Sequence, residues 1–195
     1  MTKFLYRKRP PFLVLRLLAR YNLEEVDLLV NWSEQQREAR TRALARLGPS
    51  REEQYMDEAS EIDSFARLYA ECEIIALWRC VELFRKGVVA NIIGPSEANV
   101  SYEHKKFCDL LSKIGIAESS LRCAKSVNEL RCLNNAAKHS GYVDKKLADL
   151  PRWRTRAGER ISDLTPHYRR LRPLAERYID DLTKKANRWW GSRPA

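Results

Sequence analysis

Apolar side chains recur along this chain at intervals of three and four residues. No window alternates with the period of two that a half-buried strand requires. Pro10-Pro11 precedes the apolar run from Phe12 to Leu18, so a helix is expected to begin near Pro11. Val26, Leu29, Val30, Ala39, Ala43, Leu44 and Leu47 continue a helical pattern from Leu23, which Gly48-Pro49-Ser50 ends. The longest stripe includes Ile62, Phe65, Tyr69, Cys72, Trp78, Val81 and Phe84. It lies between Glu52 and about Val89 and predicts a helix of roughly 30 residues, the spine of the core.

Gly94-Pro95-Ser96 marks a loop. Tyr102, Phe107, Leu110, Leu111 and Ile114 then define an amphipathic helix stopped by Gly115. The next helix starts near Ser119 or Ser126 and ends at His139, before Ser140-Gly141. Residues 147–160 are rich in Arg and hold Pro151 and Gly158, which reads as a connector with short helical pieces. The last helix is expected from Thr165-Pro166 to about Arg188, with Pro173 kinking it or delaying its start. The fold class that follows is all-α, an antiparallel bundle of four to five main helices. Residues 1–50 read as a basic N-terminal helical segment able to pack on the bundle, and residues 51–195 as the bundle itself.

Composition agrees with a charge-rich helical domain: 44% hydrophobic, 32% charged, and few glycines and prolines for its length. The formal net charge of +10 points to an acidic partner, nucleic acid first. Its distribution sharpens the point. Residues 1–20 hold six basic side chains and no acid, and residues 151–195 hold twelve against five, which leaves the middle slightly acidic. Five cysteines without a CxxC pair or finger spacing predict reduced thiols in a cytoplasmic protein. Arg16 interrupts the first apolar run and no small-residue cleavage site follows, so a signal peptide is not expected. Nor does any stretch reach the ~18 apolar residues of a membrane span.

One segment carries chemistry. On a helix at 100° per residue, Asn128, Arg131, Asn135 and His139 share a stripe, while Leu130, Leu133 and Ala137 fall opposite. Arg131 to Asn135 and Asn135 to His139 are each i, i+4 steps, and Asn134 with Lys138 forms a second such pair beside them. An arginine and a histidine on one face can bind a phosphate and move a proton near neutral pH. The same spacing also describes a polar face with a histidine at a helix C-terminus, where the dipole favours a cation.

Other candidates carry less. His104 and Cys108 are i, i+4, a metal-ligand spacing, but no second pair accompanies them, so Cys108 is assigned to the core and no metal or cofactor is expected. His167 sits in the first turn of the last helix as a surface or capping residue. Glu71, Glu73 and Glu82 could bring a carboxylate near the stripe. Trp153 among Arg152, Arg154 and Arg156, and Trp189-Trp190 beside Arg188, suit either stacking on nucleic acid or packing on the bundle. P-loop, Rossmann, HExxH and GxSxG motifs are absent, which removes support for those chemistries.

The order of parts resembles the HEPN superfamily, helical bundles common in prokaryotic toxin–antitoxin, abortive-infection and RNA-processing systems. A long helix precedes an amphipathic one ending Lys113-Ile-Gly-Ile116, then the Leu130-Arg-Cys-Leu-Asn-Asn-Ala-Ala-Lys-His139 helix and a Pro-started final helix, over roughly residues 55–190. Ribonucleases of that family carry an Arg, four to six residues and a His, often with Asn in the interval. Here Arg131 and His139 are separated by seven residues. Laying His139 and Asn135 on the family's His and Asn puts Asn134 in the arginine's place. Arg160 and His167 have the permitted gap, but Pro166 lies between them and that match is taken as chance.

The resemblance implies a metal-independent endoribonuclease of a prokaryotic defence or toxin system, acting in the cytoplasm with its site at a homodimer interface. His139 would be the general base or acid, Arg131 would stabilise charge on the phosphate, and Asn135 would orient phosphate or histidine. Lys138, Asn134 and Asn128 would contact RNA, and the basic ends would hold its backbone. A cognate antitoxin or defence-system protein is a further implied partner, and no membrane is. Two other readings stand beside this one: a non-catalytic HEPN-like module that binds RNA or protein and dimerises, and a helical adaptor with no nucleic-acid role.

Overall fold

A computed structural model describes residues 11–46, 52–93, 104–162 and 164–192. Among these the chain is all-α and contains no strand. Its helices are α1 (Pro11–Leu44), α2 (Glu52–Ile93), α3 (His104–Lys113), α4 (Ala124–His139), the single turn α5 (Lys145–Ala148) and α6 (Thr165–Gly191). Short 3-10 turns occupy Glu118–Ser120 and Arg154–Arg156. The expected loop at Gly94-Pro95-Ser96 and the stop at Gly48-Pro49-Ser50 lie outside the described residues.

Two helices are longer than the pattern predicted. The two apolar stretches before residue 47 form one helix, α1, because no Gly or Pro separates them. Helix α2 has 42 residues and passes through Gly87 without stopping. Gly87 lets α1 pack closely: a Cβ there would lie 2.8 Å from Leu15 Cδ2, and a larger residue would have to displace that side chain. Likewise α6 continues through Pro173.

The chain divides into two compact units, and α1, α2, α4 and α6 contribute residues to each. The first comprises Met1–Asn22, Cys80–Val127 and Leu174–Ala195. Its core joins Phe12, Phe84, Phe107, Leu111, Tyr178 and Leu182, all nearly inaccessible. Arg16 donates to Asp180 (2.6 Å), and Arg20 pairs with both Glu176 and Asp180, which aligns α1 antiparallel to α6. Arg85 is buried there without exposure, its guanidinium 3.7 Å from the Phe107 ring centroid.

The second unit comprises Leu23–Arg79 and Asn128–Pro173. Leu23, Val26 and Val30 of α1, Ile74 and Leu77 of α2, and Leu130 and Leu133 of α4 are buried in its core. Asp27 accepts hydrogen bonds from Tyr168 Oη (2.5 Å) and from Arg172 Nη2 (2.7 Å). Arg169 pairs with Glu34. These contacts again set α1 against α6, and Ser33 Oγ donating to Glu73 Oε1 (3.3 Å) sets it against α2. Glu73 is 2% exposed, and burial pushes its carboxyl above the ordinary carboxylate value, partly offset by the Ser33 and Thr165 hydroxyls. No described helix is long and apolar enough to cross a membrane.

Candidate functional site

Helix α4 ends at His139 because Gly141, at φ 69°, turns the backbone into the left-handed region and returns its N–H to Ala136 O (2.8 Å). The chain then pairs with the far end of the connector. Ile161 N donates to Gly141 O (2.8 Å) and Val143 N to Glu159 O (2.9 Å), so Tyr142 and Arg160 face each other in an antiparallel bridge. In a pair bonded through its neighbours the two side chains leave on one side and lie close together.

This arrangement forms an open cleft of about 280 Å³ in the second unit, lined by residues 137–142 together with Glu71, Arg160 and Ile161. Its polar groups are Lys138, His139, Ser140, Tyr142, Arg160 and Glu71: three cationic or protonatable side chains against one carboxylate. His139, Lys138, Tyr142 and Arg160 are exposed, so substrate can reach them directly.

The other residues of the α4 stripe are placed differently. Arg131 donates to Asn128 Oδ1 through Nη2 (2.9 Å) and Nε (3.3 Å) and leans on Cys132 Sγ (3.7 Å). Asn135 Oδ1 accepts from Asn134 Nδ2 (3.2 Å). Neither Arg131 nor Asn128 nor Asn135 lines the cleft. Asn134, read from the sequence as a substrate contact on a solvated face, is 2% exposed with its Oδ1 unpaired. Asn134 stands one position from Leu133, and tertiary packing buries both. The arginine that shares the cleft with His139 is Arg160, from the connector. The spacing of the motif helix held no sign of it; Gly141 and Gly158, both at positive φ and flanking the paired segments, are the trace the sequence carries.

A scaffold network holds the connector. Trp153 is fully buried, and its Nε1–H donates to Glu129 Oε1 (2.9 Å). Arg170 grips the same carboxylate through Nη2 (2.6 Å) and Nη1 (3.1 Å). The His167 ring stacks on Trp153 at 4.6 Å between centroids, and burial with Arg170 beside it holds its pKa below the ordinary imidazole value. Trp153 and His167 are thus packing residues. The Glu129 carboxylate ties the connector, through Trp153, to α6, through Arg170.

In the first unit, His104, Cys108 and Glu118 bring donor atoms within 4.8 Å of one another. Arg85 Nη2 stands 3.1 Å from His104 Nδ1 and 4.0 Å from Glu118 Oε1. Arginine only donates, so Nδ1 accepts and the proton of a neutral ring sits on Nε2, directed at Cys108 Sγ (3.7 Å). The cluster is a hydrogen-bonded network around a buried guanidinium, with no ring lone pair left for a metal. Comparison with family models, curated proteins and solved structures returns no match.

Proposed function

We infer that the chain is a HEPN-like, metal-independent endoribonuclease of a prokaryotic defence or toxin system, working in the cytoplasm as a homodimer. The observation that supports the reading best is the convergence of His139, Lys138 and Arg160 with Glu71 on one open cleft. Cleavage then runs as an internal transesterification. The ribose 2′ oxygen attacks phosphorus, and His139 takes its proton. Arg160 and Lys138 stabilise the charge that develops on the non-bridging oxygens. The P–O5′ bond breaks, and the leaving oxygen takes a proton from a second acid, which His139 of a second copy would supply. Glu71 is the carboxylate on the wall of the same cleft. A cognate antitoxin would act by covering this cleft.

The test is cleavage of RNA in the presence of a chelator. His139→Ala is expected to lower the rate by about 100-fold or more, with helicity unchanged by circular dichroism. Unchanged cleavage in that variant removes the site from the reading.

A second reading is favoured by Asn134 and Arg131. The residue in the arginine's place of the motif is buried, and Arg131 is held by Asn128 outside the cleft. On that basis the chain would be a non-catalytic module binding RNA or a protein partner. Salt-sensitive RNA binding with no cleavage by the wild type is its signature.

A further inference from the structure

A second cavity in the same unit, about 190 Å³, opens between α1 and α2. Trp32, Phe65 and Tyr69 form its aromatic wall, and Arg37, Arg40 and Gln36 its polar edge. Trp32 and Phe65 are 47% and 42% exposed, far more than packing requires of rings this large. Tyr69 meets Trp32 edge to face at 5.8 Å, which fixes the indole in place. The Arg40 guanidinium carbon stands 4.8 Å from the Phe65 ring centroid. No carboxylate lines this cavity, so its charge is complementary to an anion. Its volume falls below the ~300–1,000 Å³ of drug-sized ligand sites. One planar ring fits; a whole cofactor does not.

A neighbouring cavity lies between this one and the cleft of His139. Arg37 and Ala66 line both the aromatic cavity and this neighbour of about 200 Å³, which includes Arg67, Ala70 and Ser162. Ala70 and Ser162 are next in the chain to Glu71 and Ile161 of the His139 cleft. Along α2, Phe65 and Glu71 are about 9 Å apart at 1.5 Å per residue. That is a distance of a very few nucleotides, with Arg37 and Arg67 along it and Asp63 beside them.

We propose that Trp32, Phe65, Tyr69, Arg37 and Arg40 form a base-binding subsite for single-stranded RNA, whose backbone runs on past Arg67 to Arg160 and His139. The subsite rests on the assignment of the His139 cleft to RNA. It gives that assignment a substrate class. A ring can enter only when it is unpaired, so a single strand is bound and a duplex is excluded. Aromatic stacking accepts any base, and the arginines hold phosphates without reading sequence.

The test is binding of a fully 2′-O-methylated single strand, which the proposed chemistry cannot cut, by the full-length chain. An abasic strand and a duplex of equal length are measured beside it. Trp32→Ala is expected to weaken the single strand about tenfold, the typical worth of one stacked base, and to leave the abasic strand unchanged. Trp32→Phe keeps the ring and retains most of the affinity, which separates stacking from any loss of folding. Arg40→Gln lowers the slope of log affinity against log salt by about 0.7. Wild-type affinity in Trp32→Ala, equal weakening of the abasic strand, or a duplex bound as tightly as the single strand each overturns the subsite. So does a Trp32→Ala variant that changes the molar mass in light scattering with RNA affinity intact, since the pocket is then a protein contact. If Trp32→Ala is silent while His139→Ala abolishes cleavage, only the subsite falls. If base-dependent binding is lost in Trp32→Ala but the wild type cuts nothing, the subsite stands and the ribonuclease reading falls.

Discussion

Tyr142 and Arg160 face each other across an isolated antiparallel bridge, and Arg160 lines the same cleft as His139. The arginine that shares the cleft with the terminal histidine of α4 therefore comes from a distant part of the chain, while Arg131 on α4 itself is bound to Asn128. Arg160→Ala is expected to lower kcat/KM for RNA cleavage by about 100-fold or more, the usual loss when one donor to a developing oxyanion is removed. Arg131→Ala should change it by no more than a few fold. Parallel single-turnover assays of the two variants decide between them, and the reverse ranking restores Arg131 to the site.

Gly141 links the end of α4 to that bridge at φ 69°, and a Cβ there would meet nothing within 4 Å. Gly141→Ala thus tests backbone conformation without a clash. Forcing an L residue into the left-handed region costs about 1–2 kcal/mol. Chemical denaturation should show that loss. Cleavage should fall further than stability alone explains, because Tyr142 and Arg160 depend on the turn. A variant as stable and as active as the wild type shows that the turn does not position the cleft.

The helices were legible in the sequence because apolar residues at three- and four-residue spacing dominate it. The ends of α4 and α6 could be read from Ser140-Gly141 and Thr165-Pro166. The continuity of α1 was less clear, because its outward face is also apolar and periodicity alone does not separate a buried stripe from an exposed one. The candidate site was half legible. His139 and Lys138 end a helix and reach the cleft, as a helical projection allows. Arg160 arrives through three backbone hydrogen bonds of an irregular segment, which no residue spacing encodes. Asn134 illustrates the opposite failure: its place on the wheel borders the polar stripe, yet tertiary packing turned it inward.

Glu73 and His167 should bend the pH dependence of stability in opposite directions. The Glu73 carboxyl is held above its ordinary value by burial, so its contribution is present below about pH 4.3 and is lost as pH rises through the folded value. Glu73→Gln keeps the polar contact with Ser33 and has no charge to bury. It should match the wild type near pH 4 and melt at a higher temperature at pH 7. The His167 imidazole is held below its ordinary value, so its contribution is present above about pH 6.5 and is lost as pH falls. His167→Phe keeps a ring on Trp153 and should remove that acid-side loss. Thermal melts from pH 4 to 8 check both; a Glu73→Gln variant less stable than the wild type at pH 7 contradicts the assignment.

Val14, Leu17, Leu18 and Tyr21 of α1 follow i, i+3, i+4, i+7 spacing and are 55% to 59% exposed, whereas Phe12 and Ala19 on the same helix are buried. A stripe of this kind is what one copy would offer another in the proposed homodimer. Leu17→Glu with Leu18→Glu places charges on it without touching the core, so unfolding free energy should stay within about 0.5 kcal/mol of the wild type. Loss of two half-buried leucines from each copy, at about 1 kcal/mol apiece, weakens association roughly a thousandfold. Light scattering should then report a dimer for the wild type and a monomer for the double variant at micromolar concentration. Because the second proton in the proposed cleavage comes from another copy, the monomer should bind RNA but cut it poorly. Full cleavage by a monomeric variant shows that one copy holds the whole site.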